Sequence, residues 1–115
     1  MSLIVGGNSI WTETLTFVFA SGETTEKTDT ITIEGTWEHM IVVCSSASGA
    51  TVTATVTVED GNSISIGPVS TLLAEGTTTK YAVSQLLSGT TTVGVTPSID
   101  PQSAYTVTVY LKGQI

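Results

Sequence analysis

No arginine occurs anywhere in this sequence, and only 11% of its residues are charged. Phosphate recognition depends on arginine forks and clustered lysines, so a nucleic-acid surface is not expected. Binding to an anionic membrane is disfavoured for the same reason. The three lysines, Lys27, Lys80 and Lys112, lie far apart in sequence and predict no basic patch. Ten acids against them leave a formal charge of −7, which favours solubility and deters unwanted association.

Cysteine and histidine are almost absent as well. A lone Cys44 excludes an intramolecular disulfide framework. Within the apolar run from Met40 to Cys44 it reads as a small buried hydrophobe, not as a reactive thiol. The one histidine, His39, falls in the same alternation phase as Trp37, Ile41 and Val43 and reads as a packed side chain near the start of a strand. One histidine and one cysteine cannot close a zinc site within the chain. No serine stands in a Gly-x-Ser-x-Gly turn for a histidine base to activate.

The tract Asp60-Gly61-Asn62 lacks the further carboxylates of a calcium loop and predicts a tight hairpin turn. There is no glycine-rich phosphate loop. Glu13, Glu34, Glu38 and Glu59 are carboxylates that could converge only through the fold, and scattered acids more often serve solvation. No catalytic, cofactor-binding or metal-binding residue is assigned, no cofactor is expected, and an enzyme is the weakest class. Long apolar runs are missing too: no stretch approaches the roughly 20 residues of a membrane helix. The opening from Met1 to Gly7 lacks a basic region and an adequate apolar core, so no secretory signal is expected there.

What remains is threonine, serine and β-branched residues in alternation. At 115 residues the chain has the size of one domain, and 40% hydrophobic residues are enough for a core, unlike a disordered chain. In the segment from Trp11 to Phe19, Trp11, Leu15, Phe17 and Phe19 share one phase, with Glu13 among them, against Thr12, Thr14, Thr16 and Val18. That is period two, the mark of a strand with one dry and one wet face. Further strands are predicted over residues 28–34, 37–45, 51–58, 63–66, 77–83, 90–96 and 103–112. Ile41 to Cys44 are apolar in both phases, so that strand is central or is covered on its second face by another layer or subunit. Residues 69–76 read as a helical turn or a packed crossover, and residues 84–89 as a connection burying Leu86 and Leu87.

About eight short strands predict an antiparallel two-sheet sandwich, jelly-roll-like, with an immunoglobulin-like arrangement as the alternative. Exposed aromatics on such a sandwich can stack on sugars, and Tyr110 or Trp37 would serve a carbohydrate-binding module. Trp11 and Tyr105 instead share phase with core residues. The row Thr51, Thr53, Thr55 and Thr57 reads as the wet face of a strand and suits packing against a like surface.

In overall character the chain resembles small virion proteins of tailed bacteriophages, such as capsid decoration or cement subunits and related head or tail modules. The features that carry this resemblance are a threonine-rich β chain without arginine, without a catalytic set, and ending in Tyr105-Thr106-Val107-Thr108-Val109-Tyr110-Leu111. The resemblance implies a β-sandwich that forms homo-oligomers and binds a capsid or tail lattice, with residues 1–10 as a flexible arm and 11–115 as the domain. It implies location in the virion; without it, a soluble cytoplasmic protein is expected. It assigns no site to particular residues.

Overall fold

The computed structural model describes residues 9–48, 51–68 and 70–115. Among them are eight strands and no helix, hence no helix long and apolar enough to cross a membrane. The strands are β1 (Ile10–Phe19), β2 (Lys27–Thr32), β3 (Gly35–Cys44), β4 (Thr53–Glu59), β5 (Ser70–Ala74), β6 (Thr78–Leu87), β7 (Thr90–Pro97) and β8 (Tyr105–Gln114). They form two four-stranded sheets, ordered β1-β8-β3-β6 and β2-β7-β4-β5, with every pairing antiparallel.

The pairs β1·β8, β2·β7, β3·β6 and β4·β5 match first strand with last and so on inward, as in one long hairpin. Rolling that hairpin up adds the contacts β8·β3 and β7·β4 and gives a jelly roll. The immunoglobulin-like alternative does not fit this strand order.

Alternation decides which side chains enter the space between the sheets. In β8 the inward residues Tyr105, Val107, Val109 and Leu111 are fully buried, and Thr106, Thr108, Tyr110 and Lys112 alternate with them on the outer face. From β1 come Trp11, Leu15, Phe17 and Phe19, and from the facing sheet Ile31, Ala54, Val56, Val58, Val93 and Val95. The first sheet contributes the bulky residues and the second the small, β-branched ones. Large against small is how two facing layers interdigitate at native density.

β3 departs from simple alternation. Trp37 pairs with Gly113 and His39 with Lys112, which leaves Glu38 without a partner on β8 in a β-bulge. The bulge reverses the phase, so Trp37 shares the inner face with Met40, Val42 and Cys44, and His39 turns outward. The reading of His39 in phase with Trp37 is therefore corrected. The strand is central, between β8 and β6, and Ile41 and Val43 are half-buried on the outer face.

Two further expectations change. Residues 63–66 make only a bridge, Glu59 to Ser65, beyond a turn in which Asp60 accepts from the backbone of Asn62 and Ile64. The eighth strand is instead Ser70–Ala74, where a helical turn or crossover was one reading; Val69, the start of that segment, lies outside the described residues. β6 also runs on to Leu87, so residues 84–87 are strand. Leu87 is buried but Leu86 is 71% exposed, because consecutive strand residues face opposite ways. Of the proposed arm, residues 1–8 lie outside the described residues; Ile10 opens β1, and the Ser9 carbonyl accepts from the Ile115 amide.

Gly113 lies between Trp11 and Trp37 on the inner face. A β-carbon there would come within 1.9 Å of the Thr36 carbonyl oxygen and 2.8 Å of the Trp11 ring. The β3 backbone and the packed Trp11 ring cannot both yield, so Gly113→Ala should cost about 2–3 kcal/mol or more in urea unfolding. Gly22→Ala, where a β-carbon meets nothing within 4 Å, should cost less despite its φ of 90°. Equal losses would show that the tryptophan row is loosely packed.

Candidate functional site: the two outer sheet faces

The residues weighed for chemistry end up apart. His39 is exposed on the outer face of β3, whereas Cys44 is buried on its inner face, so no pair of nucleophile and base forms. Glu13 is half-buried on β1, Glu34 exposed between β2 and β3, Glu38 in the bulge, and Glu59 on the other sheet. Among the described residues no group of three histidine, cysteine or acidic side chains comes together as metal ligands would. One recess of about 190 Å³ opens between the Asp60 turn and the Ser88 connection. It is smaller than ordinary ligand pockets of about 300–1,000 Å³. Its one carboxylate, Asp60, already accepts from its own loop.

The aromatic candidates separate in the same way. Trp37 is fully buried, and its Nε1 donates to the His39 carbonyl at 2.8 Å. It cannot stack on a sugar, which corrects that part of the carbohydrate reading. Tyr81 packs against the core, and Tyr110 alone is outward, half-buried on β8.

What the fold does assemble is two broad faces of unlike chemistry. On the outer face of the β1-β8-β3-β6 sheet, register carries rows straight across the strands. One row holds Thr16, Thr108, Val43 and Thr78; the next, Thr14, Tyr110, Ile41 and Lys80. Then come Thr12, Lys112, His39 and Ala82, and last Ile10, Gln114, Thr36 and Leu86. None of these row positions holds a carboxylate; Glu38, in the bulge beside His39, is the one acid on this side of the sheet. Lys80 and Lys112 thus meet on one face, against the sequence expectation of no patch. Neither makes a salt bridge among the described residues. Lys27, in contrast, donates to the Val18 carbonyl and Glu23 and lies over the Phe19 ring.

The outer face of the β2-β7-β4-β5 sheet is threonine throughout its centre. Thr28, Gly94 and Thr57 make one row, and Thr30, Thr92 and Glu59 the next. Thr55 pairs with Thr96 and Thr32 with Thr90. The Thr53, Thr55 and Thr57 row from the sequence is part of this face, joined by threonines of two other strands. Over Gly94 the Glu26 carboxylate reaches to 2.5 Å of where a β-carbon would stand, so glycine there makes room for an acid. This face has two carboxylates and no lysine at its outward positions.

No family model matches this sequence, and no curated protein matches it. Solved structures do. A chain in the capsid asymmetric unit of cyanophage Pam1 is similar with a TM-score of 0.64 and 16% identity, over 100% of this chain and 91% of that one. A chain of the infectious bursal disease virus T13 particle is similar at 0.55 and 8% identity, over 94% of this chain and 32% of its own length. A chain of the disulfide-linked pili of Bacillus endospore appendages is similar at 0.52 and 12%, over 100% and 97%. At these identities the likeness is one of fold.

Inside the sandwich, the Tyr105 hydroxyl, the Trp11 Nε1 and one Glu75 oxygen are buried without hydrogen-bond partners among the described residues. Burial first, then the adjacent Cys44 thiol and the charge of Glu75, raises Tyr105 above the ordinary tyrosine value. Burial raises the Cys44 thiol too, opposed in part by Tyr105. Both groups fold best when neutral. Their contribution is complete below the unfolded values, about 8.5 for cysteine and about 10 for tyrosine, and is lost as pH rises through the folded ones. Stability in urea should therefore be level to about pH 8 and fall above it. Tyr105→Phe should soften the fall above about pH 10 and change neutral-pH stability by no more than about 1 kcal/mol either way. An unchanged alkaline slope in the variant would show that Tyr105 does not titrate with unfolding.

Proposed function

We propose that this chain is a non-enzymatic structural subunit of a virion, a head decoration protein or related phage structural component that self-associates or binds a protein lattice. The observation that carries the reading is the end-to-end match to a capsid chain of nearly the same length. The two wide outer faces are the surfaces such a subunit has to offer. The second viral likeness, to a particle protein, and the third, to a pilus chain, are both to proteins of repeating assemblies.

Sheet faces rich in threonine suit this role physically. Short side chains lose little rotamer freedom on burial, and their methyl and hydroxyl groups can both be satisfied against a matching surface. The low charge reduces the desolvation cost of covering so much of the molecule. A carbohydrate-binding role would rest on Tyr110 alone, and nothing in its surroundings favours it.

The reading is tested in the source particles. Antibody labelling and mass spectrometry of purified virions should find the protein in fixed ratio to the shell protein, with its gene beside capsid or tail genes. Absence from the particles, with the gene among metabolic neighbours, would refute it.

A further inference from the structure

The two outer faces differ in the balance of their charges. Lys80 and Lys112, with His39 between their strands, occupy the β1-β8-β3-β6 face, where Glu38 in the β3 bulge is the one acid at an outward strand position. Glu26 and Glu59 occupy the β2-β7-β4-β5 face, which contains no lysine at such positions.

The first face also carries apolar residues that the fold itself does not use. Ile10, Val18 and Leu86 are 77%, 51% and 71% exposed on it. A single acid, exposed aliphatic side chains and the half-buried Tyr110 together suit a protein interface.

We propose that the β1-β8-β3-β6 face of one copy docks on the β2-β7-β4-β5 face of a second copy, head to tail. The inference rests on the assembly reading above and names the partner surface. Geometry supports the match. Lys80 and Lys112 lie two strands and one row apart, roughly 12 Å between backbones, and Glu59 and Gly94, beneath the Glu26 carboxylate, one strand and one row apart, roughly 8 Å. Flexible lysine stems span that difference. With strands of five to eight residues the β2-β7-β4-β5 face is the smaller and offers roughly 400 Å², so a contact covers roughly 800 Å² in total, the size of a weak contact that gains strength by repetition.

Docking like face on like face would instead set lysines against lysines. Because the two docking faces lie on opposite sides of the sandwich, the contact is heterologous and leaves a free face at each end. It repeats until a ring closes or a stack grows.

The test is sedimentation of the full chain from 10 µM to 1 mM near physiological salt. Wild type should form species above its 11.9 kDa monomer. Lys80→Glu with Lys112→Glu, and separately Glu26→Lys with Glu59→Lys, should each weaken association about tenfold or more, because each sets like charges together. An equimolar mixture of the two variants should associate again, each supplying the face that complements the other. Lysine-to-glutamine and glutamate-to-glutamine versions, checked by thermal melting, serve if a reversal prevents folding. Persistent monomer, or reversals that leave association intact, would overturn the proposal. So would loss only on changing the lysines, since that points to contact between two lysine faces or to a different acidic partner. Detection in virions with any of these outcomes leaves the virion reading standing and removes only this contact.

Discussion

Burial of β8 is the constraint on which the rest of the structure depends. It is flanked by β1 and β3, and its inward residues Tyr105, Val107, Val109 and Leu111 have no solvent exposure at all. A strand buried on one face has its register fixed, because a slip of one residue would expose four core side chains and bury three polar ones with a tyrosine. That register sets which residues of β1 and β3 enter the core. Gly113, further along the same strand, makes room for the Trp11 ring and the β3 backbone at Thr36. Through the rolled hairpin the same sidedness passes to the second sheet, so both outer faces are decided by what the inner faces must bury.

Most of this was legible in the sequence where alternation is unbroken. β1, β4 and β8 read correctly because each keeps one alternation phase from end to end, even where Glu13 and Val18 stand against type in β1. β3 misled at its start, because a bulge at Glu38 inserts one residue and reverses the phase, and nothing in Trp37-Glu38-His39 announces it. β5 was ambiguous since Leu72 adopts φ 58° beside a register shift, which breaks the alternation a strand would show. Leu86-Leu87 suggests a packed connection that buries both, whereas a continuing strand must turn one of the two outward.

The candidate faces were harder to see than the core. Their residues come from strands distant in sequence, and only strand order places Lys80 near Lys112 or Thr57 beside Thr28. A scan along the chain counts three dispersed lysines; the fold gathers two of them on one face and ties the third into the loop before β2. The threonine rows were visible singly, but their union on one sheet was not, because it depends on β7 lying between β2 and β4. What composition did foretell is the kind of surface: few long charged side chains, and many short ones that lose little on being covered.

Zero-length carbodiimide coupling reports the contact between copies, since it joins only amines and carboxylates already in contact. On a mixture of unlabelled and heavy-isotope protein, mass spectrometry separates links between copies from links within one. The account predicts mixed-isotope links from Lys80 or Lys112 to Glu26 or Glu59, beside an internal Lys27–Glu23 link. Links between copies that run instead to Glu34, Glu75 or Asp100, or an internal link alone, would contradict it.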